Sequence, residues 1–588
     1  MLLIFFFQLA LFSIASSVDV CESAECHTLA ESMISTMNTS VDPCDDFYEF
    51  VCGNYNSPYI MLDNEYVFRD YLKLFEIFKN YEPKLSNEKV AMTVFKKCQE
   101  DKQGKLSTFM NEFWENENDL TKLFIELANV DPQNAVLFQI EVTPIETYGQ
   151  KNFQLTLNPN IVYTNNTLVH WKDIADQVKF MNFTEYVYQL LPEDSRSSDA
   201  FDRNLFVYTE FVNINYLVEQ EGVAKIRAQL YEQWKKAFAK KISVTHTNGD
   251  CFDLNVKLFP GTMAMIFLNQ TGFTQADIKR GQDMLEVLRV KSVEIISRNF
   301  YFDDLFKRRL LEKIITAKMH IAIPDMHKNQ TSLDLMYNRV LKDSIEELSY
   351  IELVRSVLKM NTEETFLKFS QLQTIGFLNS ALGPNANFFR YSGAISVSEH
   401  WVKFPYTHQN LPRWSVLAAL GTVAAHEIGH IVDPAGIKTD AHFVKWNDIP
   451  DKYAANMNCL SQQYSQFRFP GTQQYLNGNA TLIENFADIF SSKVAWELLQ
   501  RDLMLNPYQP SLPGFEKYSI EKQFFMRNAH VWCRNDMNLE DIEKSRGDTH
   551  SPGMFRVRGM AINSPNFARV FQCSEGSAMN PINKCETF

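Results

Sequence analysis

The stretch AAHEIGHIVD, residues 424–433, sets His426 and His430 four apart with Glu427 beside the first. On an α-helix, positions i and i+4 share a face, so both imidazoles can present a nitrogen to one metal ion. Glu427 lies next to that face, where its carboxylate reaches a water on the metal without ligating the metal itself. The chemistry such a trio could do is hydrolysis of a peptide bond at a zinc site. The bland alternative is an apolar helix that happens to carry two histidines. From Leu417 to Val432 the residues are almost all apolar apart from Thr422 and the motif, which predicts a buried helix. A third ligand must decide between the two readings.

Two frequent downstream solutions are missing. A glycine at 433 with a histidine at 436 would mark one class of zinc protease, but Asp433 and Gly436 stand there. A glutamate about nineteen residues on would mark another, but Asp448 and Ile449 occupy that place. Further along, IENFADIFSSKVAWELLQ reads as an amphipathic helix with Glu484 and Asp488 four apart. Glu484 can complete a His₂Glu tetrahedral set with water in the fourth position. Asp488, one turn on, can accept a hydrogen bond from the non-ligating nitrogen of a metal-bound histidine and so fix its tautomer. The competing reading of this stretch is a solvated acidic helix face.

These groups need a scaffold, and at 588 residues the chain is long enough for two or more lobes around a large core. With 45% hydrophobic and 22% charged residues it has an ordinary globular composition. Only 21 glycines and 21 prolines interrupt it, which favours helices. A net charge of −14 argues against nucleic acid or an anionic membrane as partner. In VAKIRAQLYEQWKKAFAKKI, Val223, Ile226, Leu230, Trp234 and Phe238 fall on one helical face, and SIEELSYIELVRSVLKM repeats the pattern; both read as core-packing helices. AVLFQIEVTP and FQLTLNPNIVYT alternate instead and predict a short β-hairpin. No internal repeat or low-complexity linker is visible.

The first residues, MLLIFFFQLALFSIASSVDVC, carry an apolar run from Leu2 to about Ala15 followed by small residues. That length suits a signal peptide, expected over residues 1–17 with cleavage near Ala15 or Ser17, and is short for a membrane span. An uncleaved signal anchor is the alternative. No later stretch reads as a bilayer-spanning segment. Ten cysteines crowd the chain ends without close CxxC pairs, which reads as disulfides in an oxidising compartment. Six N-x-S/T sequons, at Asn38, Asn165, Asn182, Asn269, Asn329 and Asn479, fit a glycosylated, secreted, extracellular protein.

Around the motif pair stand further pieces, in order: DPCDDFYEFVCGNY, PNANFF, AAHEIGHIVD, IENFAD, AHVWC, HSPGMFRVRG and MNPINKC. With them the chain resembles the neprilysin-like zinc endopeptidases, the neprilysin and endothelin-converting enzyme family, along nearly its whole length after the leader. The resemblance implies one zinc per chain, bound by His426, His430 and Glu484, with Glu427 as general base. It implies that Asp488 orients a zinc histidine, that His550 stabilises the tetrahedral intermediate, and that Arg556 hydrogen-bonds a substrate carbonyl. Asn385 and Ala386 would belong to an edge strand that pairs with extended substrate. Val423 and Trp532, with Thr422 and Val531, would line the pocket for the side chain after the scissile bond, and Phe68, Trp401 and Tyr406 would lie nearby. Asn64 would stand where the family has an arginine that grips a terminal carboxylate, with Arg69 close in sequence.

The family's cysteine pairing implies Cys21–Cys26, Cys44–Cys573, Cys52–Cys533, Cys98–Cys251 and Cys459–Cys585. The implied fold is mainly α with small β-sheets (α+β), a thermolysin-like catalytic lobe capped by a large helical lobe that closes over the active site. On that plan, residues 18–54 are an N-terminal segment tied to the catalytic lobe, 55–371 form the cap, and 372–588 form the catalytic lobe. The chain departs from the family pattern at Ile483, usually glycine, at Gly429, usually threonine, in the aromatic pair of NANFF, and at its last residue, Phe588 instead of tryptophan. The expected function is a secreted zinc endopeptidase acting on peptides, before hydrophobic residues. The alternative is a catalytically inactive homologue that binds peptides, and a helical adhesion protein with a chance motif would need every match to be coincidence.

Overall fold

Helical spacing of apolar residues runs through most of the chain, and helices make up most of the structure, with two small sheets. The computed structural model describes residues 19–585 apart from 60, 101–113, 115, 132–136, 148–149, 160–166, 197–204, 243–249, 301, 323–328, 342–344, 371–384, 391–392, 439–448 and 536. The expected leader, the sequon at Asn165 and the expected lobe boundary at 371/372 lie outside the described residues.

The helix Val223–Ile242 forms as its spacing predicts, with Ile226, Leu230, Trp234 and Phe238 buried. Val223 is 44% exposed, because it opens the helix directly after Gly222 at φ 80°. The second predicted helix begins later than its apolar pattern does, at Tyr350. Ser349 and Glu352 bond each other's backbone N–H groups at 3.3 and 2.8 Å, and this capping box fixes the start. The predicted hairpin is present as β1 (Phe138–Thr147) and β2 (Gln150–Pro159), antiparallel in full register. It extends through β4 (Leu205–Tyr208) to β3 (Leu168–His170) in the order β1-β2-β4-β3. A second sheet, β5 (Lys318–Ala322), β7 (Ala394–Ser398) and β6 (Ala386–Phe389), has β6 at its edge.

The chain ends are held together. Five disulfides form, Cys21–Cys26, Cys44–Cys573, Cys52–Cys533, Cys98–Cys251 and Cys459–Cys585, the pairing that the resemblance implies. Around them Phe47 packs on Phe567 and Phe571, with ring centroids 4.6 and 5.1 Å apart, and Asp46 pairs with Arg558. Closing loops of several hundred residues restricts the unfolded chain most, by about 4–5 kcal/mol for a long loop.

Packing divides the chain less simply than residue 371 would. The helices Gln275–Arg298 and Asp304–Thr316, with β5, fall within the stretch expected to form the cap, yet they pack on the helix that carries His426 and on the β6–β7 hairpin. Gly281 permits this approach: a Cβ there would lie 2.8 Å from Val402 and 3.1 Å from Ile321. Among the described residues, one helical run, Arg413–Lys438, is long and apolar enough to cross a bilayer, which the sequence reading did not anticipate. It is wholly buried in the protein, so its apolarity is that of a core.

Candidate metal and catalytic centre

Residues Thr422–Val432 form the predicted motif helix, and every one of them is buried. It is preceded by a π-helical turn over Leu417–Gly421. Such a turn misaligns the backbone ladder and recurs at functional sites. The hydroxyl of Thr422 donates within 2.9 Å of the carbonyls of Ala418 and Ala419, and Asn528 Nδ2 donates to Ala418 O and to Thr422 Oγ1 at 3.1 and 3.0 Å. Thr422 is thus committed to its own helix, and Asn528 fastens that helix to the segment carrying Val531 and Trp532.

The second predicted helix spans Leu482–Leu505, but it is not amphipathic. Residues from Asn485 to Leu499 are buried around most of its girth, so the solvated-face reading fails and Asp488 is 2% exposed. The two helices touch at Gly429, where an added Cβ would lie 3.1 Å from Ala487 Cα and 3.2 Å from Phe490. The departure from threonine at 429 therefore has a cause in the close approach of the two helices. Ile483 is only partly buried, and Glu484 beside it still reaches both imidazoles.

Three imidazole nitrogens converge on one carboxylate oxygen. Glu484 Oε2 lies 3.0 Å from His426 Nε2, 3.5 Å from His430 Nε2 and 3.3 Å from His550 Nε2. The ligand atoms of His426, Glu427 and His430 lie within 4.8 Å of one another. On their far sides, His426 Nδ1 meets Asp488 Oδ1 at 2.9 Å and His430 Nδ1 meets Asp433 Oδ2 at 2.8 Å. An ionised carboxylate only accepts, so each Nδ1 carries its proton, and each Nε2 faces Glu484 either as a donor in the protonated ring or as a lone pair in the neutral one. Two acceptors can face each other only across a proton or a cation. A tetrahedral zinc with bonds of about 2.0–2.2 Å sets its ligand atoms roughly 3.3–3.5 Å apart, and the observed 3.0 and 3.5 Å straddle that edge.

Charge agrees with geometry. Glu427, Asp433, Glu484 and Asp488 set against Arg390 and Arg556 leave a formal −2, which two protonated imidazoles balance in the metal-free site and a divalent cation balances when the rings are neutral. Burial pushes the Glu484 carboxyl up, but hydrogen bonds from His426 and His430 outweigh it and hold the group below the usual carboxylate range. Asp488 is likewise buried, yet Arg556 and His426 keep it low. Burial disfavours charge on both imidazoles, and their carboxylate partners more than compensate, raising His426 and bringing His430 to about 10.

Arg556 grips Asp488 with two bonds, Nε to Oδ2 at 2.7 Å and Nη2 to Oδ1 at 2.6 Å, and stacks 3.9 Å above the Trp532 ring. Its nearest observed partner is thus the orienting aspartate, a contact that the expected bond to substrate did not include. His550 sits at the rim with its side chain 54% exposed, Nδ1 3.1 Å from Asp548. Its loop is pinned by Ser551 Oγ donating to Asn485 Oδ1 at 2.6 Å, one residue from Glu484. Asn385 and Ala386 lie at the head of edge strand β6, whose described neighbour is β7. Val423 is buried and Trp532 half-buried; the rings of Trp401 and Tyr406 pack at a tilt with centroids 4.5 Å apart, and both are buried. Asn64 is exposed, and Arg69 points to Glu65, 2.5 Å away.

Sequence reasoning missed Asp433 and Arg390. Asp433 stands three residues after His430, and helical spacing alone could have flagged it; nothing marks Arg390 before the fold brings it there.

Known proteins agree with this architecture. Residues 385–587 match the model for Peptidase family M13. Neprilysin-11 of Caenorhabditis elegans is 23% identical over an alignment of 689 residues covering 96% of this chain and 81% of the relative. Neprilysin of Oryctolagus cuniculus is 26% identical over 485 residues, 81% of this chain and 61% of the relative. In fold, the chain matches a zinc metalloprotease of Mycobacterium tuberculosis in complex with inhibitor, with a TM-score of 0.69 at 14% identity, covering 97% of this chain and 100% of the other. PepO from Lactobacillus rhamnosis matches with a TM-score of 0.64 at 16% identity, over 92% and 98%. The match of residues 385–587 to the M13 model, the neprilysin relatives along most of the chain and a fold shared with solved metalloproteases together support a neprilysin-like peptidase.

Proposed function

We propose that this protein is a secreted zinc-dependent endopeptidase that hydrolyses peptides before hydrophobic residues. The observation that carries the reading is the convergence of His426, His430 and His550 on Glu484 Oε2, beside the buried Glu427. His426, His430 and Glu484 would hold one zinc ion, with their outer nitrogens fixed by Asp488 and Asp433. Bound zinc supplies a Lewis acid that polarises the scissile carbonyl and acidifies water. Glu427 takes the proton of the attacking water and later delivers it to the leaving amine. His550, at the rim, donates to the oxyanion that develops on the carbonyl oxygen. The edge of β6 at Asn385 and Ala386, unpaired among the described residues, pairs with the extended substrate backbone. Val423 and Trp532 offer an apolar wall to the following side chain, where burying a Phe or Leu gains about 1.5–3 kcal/mol.

Export is supported by the five disulfides and by sequons at Asn182, Asn269, Asn329 and Asn479 whose side chains face solvent. The test is zinc content of the purified protein together with digestion of a quenched peptide, with and without a chelator. About one zinc per chain and chelator-sensitive cleavage are expected, and Glu484→Ala should release the metal. Zinc without cleavage would select the inactive peptide-binding homologue, and zinc content unchanged by Glu484→Ala would overturn the ligand assignment.

A further inference from the structure

The two histidines are supported alike on one side and differently on the other. Each Nδ1 meets a buried carboxylate, Asp488 or Asp433, and each carboxylate is gripped by an arginine fork. Arg556 holds Asp488 from the buried helix Gly553–Ile562. Arg390 holds Asp433 from the end of β6, the edge strand that faces substrate in the reading above.

Arg390 makes three bonds there. Nη1 donates to the backbone carbonyl of His430 and to Asp433 Oδ1, both at 3.0 Å, and Nη2 donates to Asp433 Oδ2 at 2.5 Å. The His430 carbonyl belongs to the last turn of its helix, where C=O groups lack helical partners. A guanidinium at that end satisfies one of them and faces the negative end of the helix dipole. Asp433 is fully buried and held further by the N–H groups of Ala435 and Gly436 at 2.8 and 2.6 Å. The turn is tight: a Cβ on Gly436 would lie 2.2 Å from the same His430 carbonyl. The Asp433 end of the Arg390 bridge is therefore held in place.

We propose that Arg390 is a positioning residue that locks the substrate-side edge strand to the second metal-ligand histidine. Acting through Asp433 it fixes the His430 ring, and acting through its own backbone it fixes β6 relative to the metal. The inference rests on the zinc reading above. A planar two-pronged cation sets orientation as well as charge, which a lysine does not.

The experiment uses the full-length protein as R390Q and R390K. Zinc dissociation constants come from competition with a chelating dye, alongside thermal melts and kcat and KM on a quenched peptide. R390Q is expected to bind zinc about 10- to 100-fold more weakly, as other partners of metal-bound histidines do. At saturating zinc its KM should rise by about tenfold with a smaller change in kcat, because strand contacts form in ground and transition state alike. R390K should fall between R390Q and wild type, and if R390Q does not fold, weakened zinc binding by R390K at an unchanged melting temperature supports the proposal. Wild-type zinc affinity and KM in R390Q, with only a lowered melting temperature, would make Arg390 merely structural and overturn it. A wild-type protein that binds no zinc would instead remove the metal reading, and this inference with it.

Discussion

On the inner wall of the site, the side chains of His426, His430, Glu484, Asp488 and Arg556 are between 3% and 13% exposed, whereas at the mouth His550 is 54% exposed. Every wall group has at least two partners within the protein, so its orientation is settled before substrate arrives. Such preorganisation in a water-poor setting is what makes charged groups effective on a developing charge. At the mouth His550 stands on a loop with solvent around it, and its partners change when a peptide enters. Changes in the wall should therefore strike metal binding, turnover and folding, and changes in the mouth should strike substrate handling.

The largest effect belongs to Glu427. Glu427→Gln keeps the shape of a buried side chain but removes the proton acceptor, so turnover should fall by roughly 10²–10⁴-fold. Zinc content and melting temperature should stay at wild-type values. Cleavage at the wild-type rate would dismiss the general-base role.

Asp488→Ala comes next and separates wall from mouth most clearly. It strands Arg556, buried and bonded twice to Asp488, and an orphaned buried charge costs about 3–5 kcal/mol. It also frees the His426 ring, which should weaken zinc binding by about 10- to 100-fold. Both a melt and a metal titration should move together. A lowered melting temperature with unchanged zinc affinity would confine Asp488 to a structural part.

His550→Ala tests the mouth by the same measures with the opposite pattern. Its ring is half exposed, so the melt should hardly change, while kcat falls by about 10²–10³-fold and KM moves less, as for a donor used in the transition state. A rise in KM at constant kcat would reassign His550 to ground-state binding.

The wall was also the more legible part. His426, Glu427 and His430 follow from a four-residue spacing on one helix, and Glu484 with Asp488 from the same period on another, because a helix fixes side-chain direction from sequence alone. The burial of the second helix was not legible: acidic residues at 484 and 488 mimic a solvated face, and only packing of Gly429 against Ala487 reveals a core helix. Arg390 reaches Asp433 across 43 positions, and β5 joins β7 across some 75, separations that no local period encodes. The same reason hid strands β3 and β4, which are too short to alternate visibly.

Gly429 gives a smaller, sharper test of the wall. Gly429→Thr restores the residue usual in the family, but its Cβ would press on the backbone of Ala487, which lies between Glu484 and Asp488. Overpacking of this kind costs about 1–3 kcal/mol, offset in part by the poor helix propensity of glycine. Thermal melts should drop and zinc affinity should fall with them, since parting the helices separates Glu484 from the imidazoles. A threonine variant as stable as wild type, with unchanged zinc affinity, would mean that the helix contact does not set the ligand geometry.

The smallest effect is expected in the choice between free and blocked peptide termini. A member of this family that releases C-terminal dipeptides needs a cation aimed at the terminal carboxylate. Here Asn64 is a neutral amide, and Arg69, four residues after Glu65, turns its guanidinium to that carboxylate at 2.5 Å. A pair so exposed is held by about 0.2–1 kcal/mol, yet its net charge is near zero, so an incoming carboxylate meets little field. To bind, it would have to displace Glu65 and lose most of what it gains. Peptides with free and amidated C-termini should therefore differ in kcat/KM by less than roughly fivefold, about 1 kcal/mol. Glu65→Gln releases Arg69 from its partner and should open a preference for the free carboxylate that the wild type lacks. A strong wild-type preference for free carboxylates two residues beyond the cut would place Arg69, despite Glu65, in the role that Asn64 cannot fill.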